Sequence, residues 1–532
     1  MVVSTEVRET YREMKPSEFF YEYRELAGFT NATRALYQTV RELVENALDA
    51  TDVYGIKPTI TIIIERVNSE LNYYKVTVED NGVGIDPAYV PDAFGKVLFS
   101  SKYKLRQSRG RFGLGAKMAV LYGQMTTGSA VEVYTSPIGS DKIYYFKVKI
   151  DVKTNVPIVL ARKAWSKRSD WHGTRVSVTV LGDWGKAKHR IYEYLRRTAI
   201  VAPYADIVFI DPDGNVTHYP RVIDEVPPGP KEVKPHPHGV DIIKLKEMLK
   251  SSSASTIMEF LIKSFQGVGK KTAEKFLEWA KIDPNLDIKR VDDQFIEYLA
   301  RKLREYKKFR PPTADALSPL GPKVIEAGLK AILKPEFVTV VTRRPRAYSG
   351  HPFIVEVGIA YGGGVPVSDE PILLRYANKI PLLYDEKSDV AWKVVDPKNF
   401  DWKYYQVSFP APLAVLTHIC STKIPYRAAG KESVADVPEI EHELKNALRE
   451  AARRLRAYIL KKKKEEEAKR KIITFLKYTP EVAKSLATIL KGDGVSEEYI
   501  KSLLINAMKK RLNIDEELFN KLVRGLKVNV EE

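Results

Sequence analysis

Residues 41–49, which read RELVENALD, contain the first side chains whose types and spacing could do chemistry. If this segment is helical, residues three and four apart lie on one face, so Glu42, Asn46 and Asp49 are neighbours. The amide oxygen of Asn46 is a hard, neutral ligand that suits Mg²⁺ held against phosphates. A carboxylate one turn earlier can orient and deprotonate a water molecule, which makes Glu42 the candidate general base. A solvated polar face is the alternative, but the asparagine at this spacing favours a metal and phosphate site.

A strand followed by a glycine-rich turn is predicted around residues 79–84, which read EDNGVG. Asp80 lies where the strand ends, and a carboxylate there can accept a hydrogen bond from an adenine amino group. Gly82 and Gly84 allow the backbone to approach the base closely. An ordinary Asp-Asn-Gly turn is the alternative. Thr174, at the start of a later strand, either completes this adenine pocket or only begins that strand.

A third segment, residues 110–117, reads GRFGLGAK and leads into a predicted helix. Glycines before a helix N-terminus form a phosphate cradle, because free N–H groups and the helix dipole both favour anions. Ser101, Lys102 and Lys117 supply further donors. The pattern is not a dinucleotide fingerprint, since no strand–turn–helix unit with a ribose-binding acid follows it. The residues of the predicted cradle are Gly110, Arg111, Phe112, Gly113, Leu114, Gly115, Ala116 and Lys117. Taken together, and in this order along the chain, the segments described above predict a site for ATP and Mg²⁺.

This set of motifs, with His-Gly-Thr at 172–174, resembles the GHKL ATPase superfamily of gyrase-type topoisomerases, sensor histidine kinases and MutL mismatch-repair proteins. The resemblance implies that Glu42 is the general base and that Asn46 holds Mg²⁺. It also implies that Asp80 reads adenine and that residues 110–117 form an ATP lid. Histidine kinases lack the upstream base, so Glu42 favours hydrolysis over phosphotransfer to a protein.

The composition indicates a globular multidomain protein with a polyanionic partner. The chain has 532 residues, 44% of them hydrophobic, which suits three or four domains. Its net charge of +18 favours a polyanion. No apolar run approaches the ~18 residues of a membrane span, and the N-terminus lacks a signal-peptide core. The single cysteine, Cys420, indicates a reducing compartment. Cys420 and His418 are better explained as two core-facing residues of one strand than as a catalytic pair. We therefore expect a cytoplasmic, nucleoid-associated protein with no membrane partner.

These motifs require elements that position them, and the predicted fold class is a multidomain α/β protein. Residues 1–24 are predicted as an N-terminal arm, which is either a frayed terminus or a segment that wraps around a second copy of the chain. Residues 25–228 suit a two-layer α/β ATPase domain of the GHKL (Bergerat) type, with a helix over 31–52 and another near 188–201. Its strands are predicted over 59–66, 74–79, 131–135, 143–150 and 174–181.

A proline-rich linker near residue 228 opens a basic helical domain over 229–310. Its Gly-Val-Gly at 267–269 lies between two amphipathic helices and resembles a helix–hairpin–helix turn, whose amides contact DNA phosphates. Lys270 and Lys271 follow this turn and are candidate DNA-binding residues. A tight helix–helix turn without a ligand is the alternative.

Residues 311–475 are predicted as an α/β transducer domain that ends in a long stalk helix from about 436. Its strands are predicted over 337–343, 353–361, 371–376, 391–396, 406–409 and 414–420. Residues 476–532 form a helical tail. Between the last strand and the stalk, Lys431 lies on a glycine-flexed loop from which it could reach a γ-phosphate. Lys423, on the same loop, is the alternative.

The order of these parts resembles the B-subunit family of type IIB DNA topoisomerases, or topoisomerase VI, whose helix–two-turn–helix domain lies between ATPase and transducer. Residues 309–321 and 352–362 carry the resemblance, as does WKYY at 402–405, which matches a DNA-contacting Trp-Lys-x-Tyr loop. The resemblance implies that Trp402, Lys403 and Tyr405 contact DNA. It also implies that Lys431 senses the γ-phosphate.

The same resemblance implies an archaeal A₂B₂ heterotetramer with the A subunit of topoisomerase VI, acting on double-stranded DNA. ATP binding would dimerise the B subunits and gate the passage of one duplex through a double-strand break in another. Such passage relaxes supercoils and decatenates DNA. Cleavage would belong to the A subunit, because this chain has no Toprim pattern. An ATP-dependent clamp of the chaperone or mismatch-repair class is the alternative function.

Overall fold

The fold is taken from a computed structural model, which describes residues 13–68, 70–110, 113–427, 430–490 and 495–512. The chain divides into two compact units, Met1–Asp401 with Ser408–Ala451 and Trp402–Val407 with Ala452–Glu532. Within the described ranges, no helix has both the length and the apolar character needed to cross a bilayer. The first half of the predicted N-terminal arm and the end of the predicted tail fall outside these ranges.

An eight-stranded sheet forms the first layer of the N-terminal α/β domain. Its strands are β1 (Thr59–Asn68), β2 (Tyr73–Asp80), β3 (Val131–Ser136), β4 (Lys142–Asp151), β5 (Val156–Ser166), β6 (Gly173–Leu181), β7 (Asp206–Ile210) and β8 (Val216–Tyr219). The spatial order is β5-β4-β3-β6-β2-β1-β7-β8, and every pair is antiparallel except β1 with β7. Ile60, Ile62 and Ile64 alternate into the core, as a strand with one buried face requires. The five strands predicted here are confirmed.

Helices cover this sheet and form the second layer. They are α1 (Pro16–Glu22), α2 (Ala32–Asp52), α3 (Val90–Gly95), α4 (Gly115–Thr127) and α5 (Trp184–Val201). Asn31 caps α2, since its side chain accepts a hydrogen bond from the N–H of Arg34 at 2.9 Å. The apolar residues that recur at helical spacing along α2 are buried; they are Leu36, Val40, Leu43, Val44 and Ala47. The helix therefore turns its polar face, which carries the first motif, away from the core.

Four helices form a separate module in the first unit. They are α6 (Ile242–Ser251), α7 (Ile257–Ser264), α8 (Lys270–Ala280) and α9 (Asp293–Glu305). The module has its own hydrophobic core, in which Phe260, Phe276 and Leu299 are buried. This confirms a helical region between the two sheets.

A six-stranded sheet follows. Its strands are β9 (Phe337–Thr342), β10 (Arg346–Tyr348), β11 (His351–Tyr361), β12 (Ile372–Ala377), β13 (Ile380–Pro381) and β14 (Leu413–Ser421). The helices α10 (Pro322–Leu333) and α11 (Val390–Val395) belong to the same part of the chain. The order is β10-β11-β14-β12-β13, and β9 pairs with β11. Because α10 packs on both α5 and β9, the hydrophobic core of this sheet is continuous with that of the first.

Two predicted strands are wrong. Residues 391–396 belong mainly to α11, whose first turn is capped by Asp389 through the N–H of Ala391 at 2.8 Å. Most side chains of this helix are buried, so its sequence lacks the polar face that distinguishes a helix from a buried strand. Residues 406–409 form no strand, because Gln406 has a left-handed backbone with φ 67°.

The stalk helix α12 (Pro438–Ile489) is longer than predicted and contains Pro480. Ile440, Leu444 and Leu448, which recur at helical spacing in its first turns, are buried in the core. In the second unit, α13 (Glu497–Leu512) follows. The helical tail is thus partly a continuation of α12.

Candidate nucleotide-binding site

A cavity of about 910 Å³ is bounded by α2, the end of β2 and the first turn of α4. It gathers predicted site residues from segments far apart in the chain. Those that line it are Glu42, Asn46, Asp80, Gly84, Ser101, Lys102, Gly110, Gly113, Leu114, Gly115, Ala116, Lys117, Thr174 and Lys431. Arg111 and Phe112 lie outside the described residues. Four separate motifs therefore converge on one site, as predicted.

Glu42 points from α2 at the beginning of α4. Its Oε1 accepts a hydrogen bond from Nε2 of Gln38 at 2.9 Å. Its Oε2 lies so close to Gly115 that a Cβ on that glycine would overlap the oxygen. Backbone N–H groups at a helix N-terminus favour anions. The carboxylate is therefore placed beside the phosphate cradle, where a general base for an attacking water must lie.

Asn46 and Asp49 together present oxygens to a cation. Nζ of Lys102 donates to Oδ1 of Asn46 and to Oδ2 of Asp49, both at 2.7 Å. Arg109 also pairs with Asp49, at 3.0 Å. Burial opposes ionisation of Asp49, but Lys102 and Arg109 outweigh it and hold its pKa below the usual range. Two oxygen ligands that already attract an ammonium group fit Mg²⁺. Asp49 and Arg109 were not predicted as site residues, although the spacing of Asp49 from Asn46 was a signal.

Asp80 is an acceptor with one oxygen in use. Its Oδ1 accepts the backbone N–H groups of Gly82 at 2.8 Å and of Thr174 at 3.2 Å. Among the described residues no donor reaches Oδ2. The residue is 6% exposed, and burial raises its pKa to about 7 against the effect of the two backbone hydrogen bonds. Oδ2 is thus available to an amino group of a ligand. Thr174 both continues β6 and orients this carboxylate, so the two interpretations of Thr174 are compatible.

The floor and the lid of the cavity depend on glycine and lysine. Gly84 has φ +73°, and a Cβ there would overlap the carbonyl oxygen of Ser136. Nζ of Lys117 donates to the carbonyl oxygens of Phe99 at 2.6 Å and Gly113 at 3.1 Å. Burial, assisted by the nearby Lys102, lowers the pKa of Lys117 to about 8. Lys117 thus joins the backbone of Phe99 to that of Gly113 at the base of the predicted lid.

The two candidate lysines of the loop after β14 have different surroundings. Lys431 lines the nucleotide cavity, and its Nζ donates to the carbonyl oxygen of Arg109 at 3.3 Å. Lys423 lines a second cavity beside the helical module, with His236 and Arg304 among its neighbours. The geometry therefore favours Lys431 as the lysine that acts on a nucleotide.

A buried polar network joins the base of the lid to the second sheet, and no local motif indicated it. Arg109, directly before the lid, pairs with Asp52 at 2.7 Å. Asp52 also pairs with Lys379, from the turn between β12 and β13, at 3.4 Å. Nζ of Lys379 donates in addition to Oγ of Ser318 at 2.9 Å. The base of the predicted lid is thus connected to the second sheet by buried ion pairs.

His418 and Cys420 are buried residues of β14, as predicted. Nδ1 of His418 lies 2.8 Å from Oε2 of Glu356, and its Nε2 accepts the N–H of Lys379 at 3.0 Å. Cys420 and Glu356 are close enough to share a metal with this histidine. Because both imidazole nitrogens are already engaged, the cluster is structural.

The predicted DNA-binding residues are not gathered at the cavity. Lys270 and Lys271 are exposed on the first turn of α8, directly after the glycine turn. In the second unit, Lys403 is exposed, whereas Trp402 and Tyr405 are buried. Their contact with DNA stays a prediction.

Comparisons with known proteins agree with this site and its surroundings. A family model described as "Histidine kinase-, DNA gyrase B-, and HSP90-like ATPase" matches residues 31–154. A second, "Topoisomerase VI B subunit, transducer", matches residues 312–471.

Full-length relatives extend these matches. The chain is 52% identical over 523 residues to the B subunit of type 2 DNA topoisomerase 6 from Metallosphaera sedula, covering 96% of this chain and 98% of that protein. It is 52% identical over 527 residues to the protein of the same name from Sulfurisphaera tokodaii, covering 98% and 99% of the two chains. It is 51% identical over 528 residues to the protein of the same name from Saccharolobus shibatae, covering 99% of this chain and 98% of that protein. The chain therefore belongs to the family of type 2 DNA topoisomerase 6 B subunits, and combines a GHKL-type ATPase domain with a topoisomerase VI transducer domain.

Proposed function

We propose that this chain is the motor of a type IIB DNA topoisomerase, which binds and hydrolyses ATP to move a gate for duplex DNA. The observation that carries this proposal is the convergence of Glu42, Asn46, Asp80 and Lys431 on one cavity. Three of these side chains come from the ATPase domain, and the fourth comes from the loop that follows the transducer sheet. A nucleotide bound there would touch both domains.

The residues divide the work of binding. Oδ2 of Asp80 accepts a hydrogen bond from the adenine amino group, and Gly84 lets the backbone approach the base. The backbone N–H groups of residues 113–117 and the ammonium of Lys102 bind the phosphates. Asn46, with Asp49 beside it, would hold Mg²⁺, which when bound neutralises charge on the phosphates.

The hydrolytic step is carried by Glu42. Its carboxylate accepts a proton from a water molecule as the water oxygen forms a bond to the γ-phosphorus. The bond from that phosphorus to the bridging β–γ oxygen breaks, and ADP and inorganic phosphate are left. Lys431 donates to the γ-phosphate before the step and loses this partner after it. The position of the transducer thereby comes to depend on the state of the nucleotide.

The assembly follows from the family. ATP binding dimerises two copies of this chain within an A₂B₂ complex with the A subunit, and hydrolysis reopens the dimer. The A subunit cleaves one duplex and a second duplex passes through. The net charge of +18 suits DNA as the polyanion. Lys270, Lys271, Trp402, Lys403 and Tyr405 are the proposed contacts.

ATP turnover measured with and without long duplex DNA, in the presence of the A subunit, tests this function. We expect DNA to stimulate turnover. Glu42→Ala should abolish turnover and leave nucleotide-driven dimerisation intact, as measured by size-exclusion chromatography with a nonhydrolysable analogue. Undiminished turnover in Glu42→Ala would remove Glu42 from its role. A rate of ATP turnover that changes with neither DNA nor the A subunit would favour a clamp of the chaperone or mismatch-repair class.

A further inference from the structure

Glu45 is a charged residue beside the cavity, close to Lys431, to which the proposed mechanism gives no role. It lies on α2, one residue before Asn46, and its side chain is buried. Its Oε1 accepts a hydrogen bond from Nε of Arg41 at 2.7 Å. Its Oε2 is buried and has no hydrogen-bond partner among the described residues. A buried carboxylate oxygen without a donor is unfavourable, so this placement needs a reason.

Lys431 faces this oxygen. Its Nζ lies 3.9 Å from Oε2 of Glu45, which is too far for a hydrogen bond but close enough for strong attraction. In the described part of the chain, the hydrogen bond made by this ammonium is a long one, to the carbonyl oxygen of Arg109 at 3.3 Å. Lys431 is therefore held loosely, between a carboxylate and the space where phosphates bind.

Both residues that flank Lys431 in the chain are held by arginines of α2. Nη1 of Arg41 donates to the carbonyl oxygen of Gly430 at 3.4 Å. On the other side, the carboxylate of Glu432 pairs with the guanidinium of Arg34. The long side chain of Lys431 is consequently the part that can move without rearrangement of the loop.

We propose that Glu45 is the carboxylate that holds Lys431 when no terminal phosphate is bound, so that a triphosphate exchanges one anionic partner of this lysine for another. Glu45 is a positioning residue, because it acts through Lys431 and does not touch the substrate. A diphosphate offers no second partner. Glu45 would therefore set how strongly the site distinguishes ATP from ADP. The inference rests on the proposed function, since it requires Lys431 to reach the terminal phosphate.

Glu45→Gln tests this exchange, because it removes the charge and keeps an amide oxygen for Arg41. We expect the affinity of the full chain for a nonhydrolysable ATP analogue with Mg²⁺ to rise by about fivefold or more, as for coupled sites in general. The affinity for ADP should change less. In a Lys431→Ala background, the same substitution should no longer change the preference for the analogue over ADP. Isothermal titration calorimetry of the four variants measures these affinities.

Lys423→Ala is the matched control, because it removes a lysine from the same loop that lines another cavity. It should leave the preference for the analogue unchanged. If Glu45→Gln does not fold, Glu45→Asp keeps the charge but withdraws it from Lys431, and a smaller rise in the same direction is expected.

The outcomes separate this inference from the proposed function. If Lys431→Ala weakens the preference for the analogue, but Glu45→Gln acts equally with and without Lys431, the role of Glu45 alone is rejected. An absence of any gain in Glu45→Gln rejects it as well. If Lys431→Ala keeps the full preference, both the sensing role of Lys431 and the role of Glu45 are rejected.

Discussion

At the scale of single residues, the site is a set of carboxylates whose neighbours give them different tasks. Asp49 and Asp52 on α2 are paired with cations and are held ionised, with pKa values below the usual range. Asp80 is equally buried but faces only backbone N–H groups, and its pKa is raised to about 7. Buried acids of one type thus differ in ionisation, according to whether a cation lies beside them.

The raised pKa of Asp80 predicts how nucleotide affinity depends on pH. If adenine binds the ionised carboxylate, affinity should level off only above about pH 8 and fall below about pH 7 by up to about tenfold per pH unit. Asp80→Asn should bind weakly at every pH, without this dependence, because its amide N–H₂ group faces the adenine amino group. Calorimetric titration with ADP between pH 5.5 and 8, roughly the range set by this pKa, measures it. An unchanged slope in Asp80→Asn would contradict the assignment.

The same group makes a prediction for the protein without nucleotide. The folded pKa of about 7 exceeds the ordinary value of 3.8, so the folded state binds this proton more strongly than the unfolded state does. Its contribution to stability is complete below about pH 4 and is lost as the pH rises through 7. Thermal unfolding should show wild type losing stability relative to Asp80→Asn across this window.

At the scale of secondary-structure elements, function depends on how closely α4 approaches α2. Gly115 opens α4 and has no side chain, and this leaves room for the carboxylate of Glu42 against the helix terminus. The predicted lid and the proposed general base are therefore brought together by the packing of two helices.

Gly115→Ala should separate catalysis from folding. A methyl group there would displace the carboxylate of Glu42, so turnover should fall about 10²–10⁴-fold, as for loss of a general base. The backbone of Gly115 is helical, so stability should be unchanged or raised by up to about 1 kcal/mol. ATPase assays and thermal unfolding measure the two effects. Gly185→Ala near the start of α5 is the matched control, because its Cβ would meet only ordinary contacts. Normal turnover in Gly115→Ala would show that Glu42 does not need this position.

At the scale of the whole first unit, the continuous core and the network of Arg109, Asp52 and Lys379 connect the two sheets. The network begins at the residue before the lid and ends in the turn after β12. Removal of one partner from a buried ion pair strongly lowers stability, because the other charge is left buried and uncompensated. The predicted lid and the second sheet are therefore connected by ion pairs that are stable only when all their partners keep their positions.

Lys379→Met should lower the free energy of unfolding by about 1.5–3 kcal/mol, the usual range for a hydrogen bond to a charged group. The loss is limited because Asp52 keeps its bonds to Arg109 and Tyr204. Urea unfolding of the full chain measures it. Combined with Asp52→Asn, the two losses should be non-additive by about 0.5–3 kcal/mol. Lys423→Met, at an exposed lysine, should change stability by less than about 0.5 kcal/mol. Strict additivity would mean that the network does not act as a unit.

Local spacing was enough to predict an ATP site, because the residues proposed for it occur in short motifs. Glu42 and Asn46 are one helical turn apart, Asp80 ends a strand, and the glycines of the lid precede a helix. Each of these relations is set within a few residues. Alternating burial likewise revealed strands such as β1. The fold class and the family could therefore be predicted from the sequence.

Only the tertiary structure decided the partners of the buried charges and the choice between similar residues. Lys379 meets Asp52 across more than 300 positions, and no local pattern encodes such a pair. Lys423 and Lys431 lie on one loop, and only chain packing brings the second to the nucleotide cavity. The segment 391–396 is apolar on most sides, so its periodicity did not distinguish strand from helix. Short-range geometry follows from residue types, whereas pairings across the chain follow from how whole elements pack.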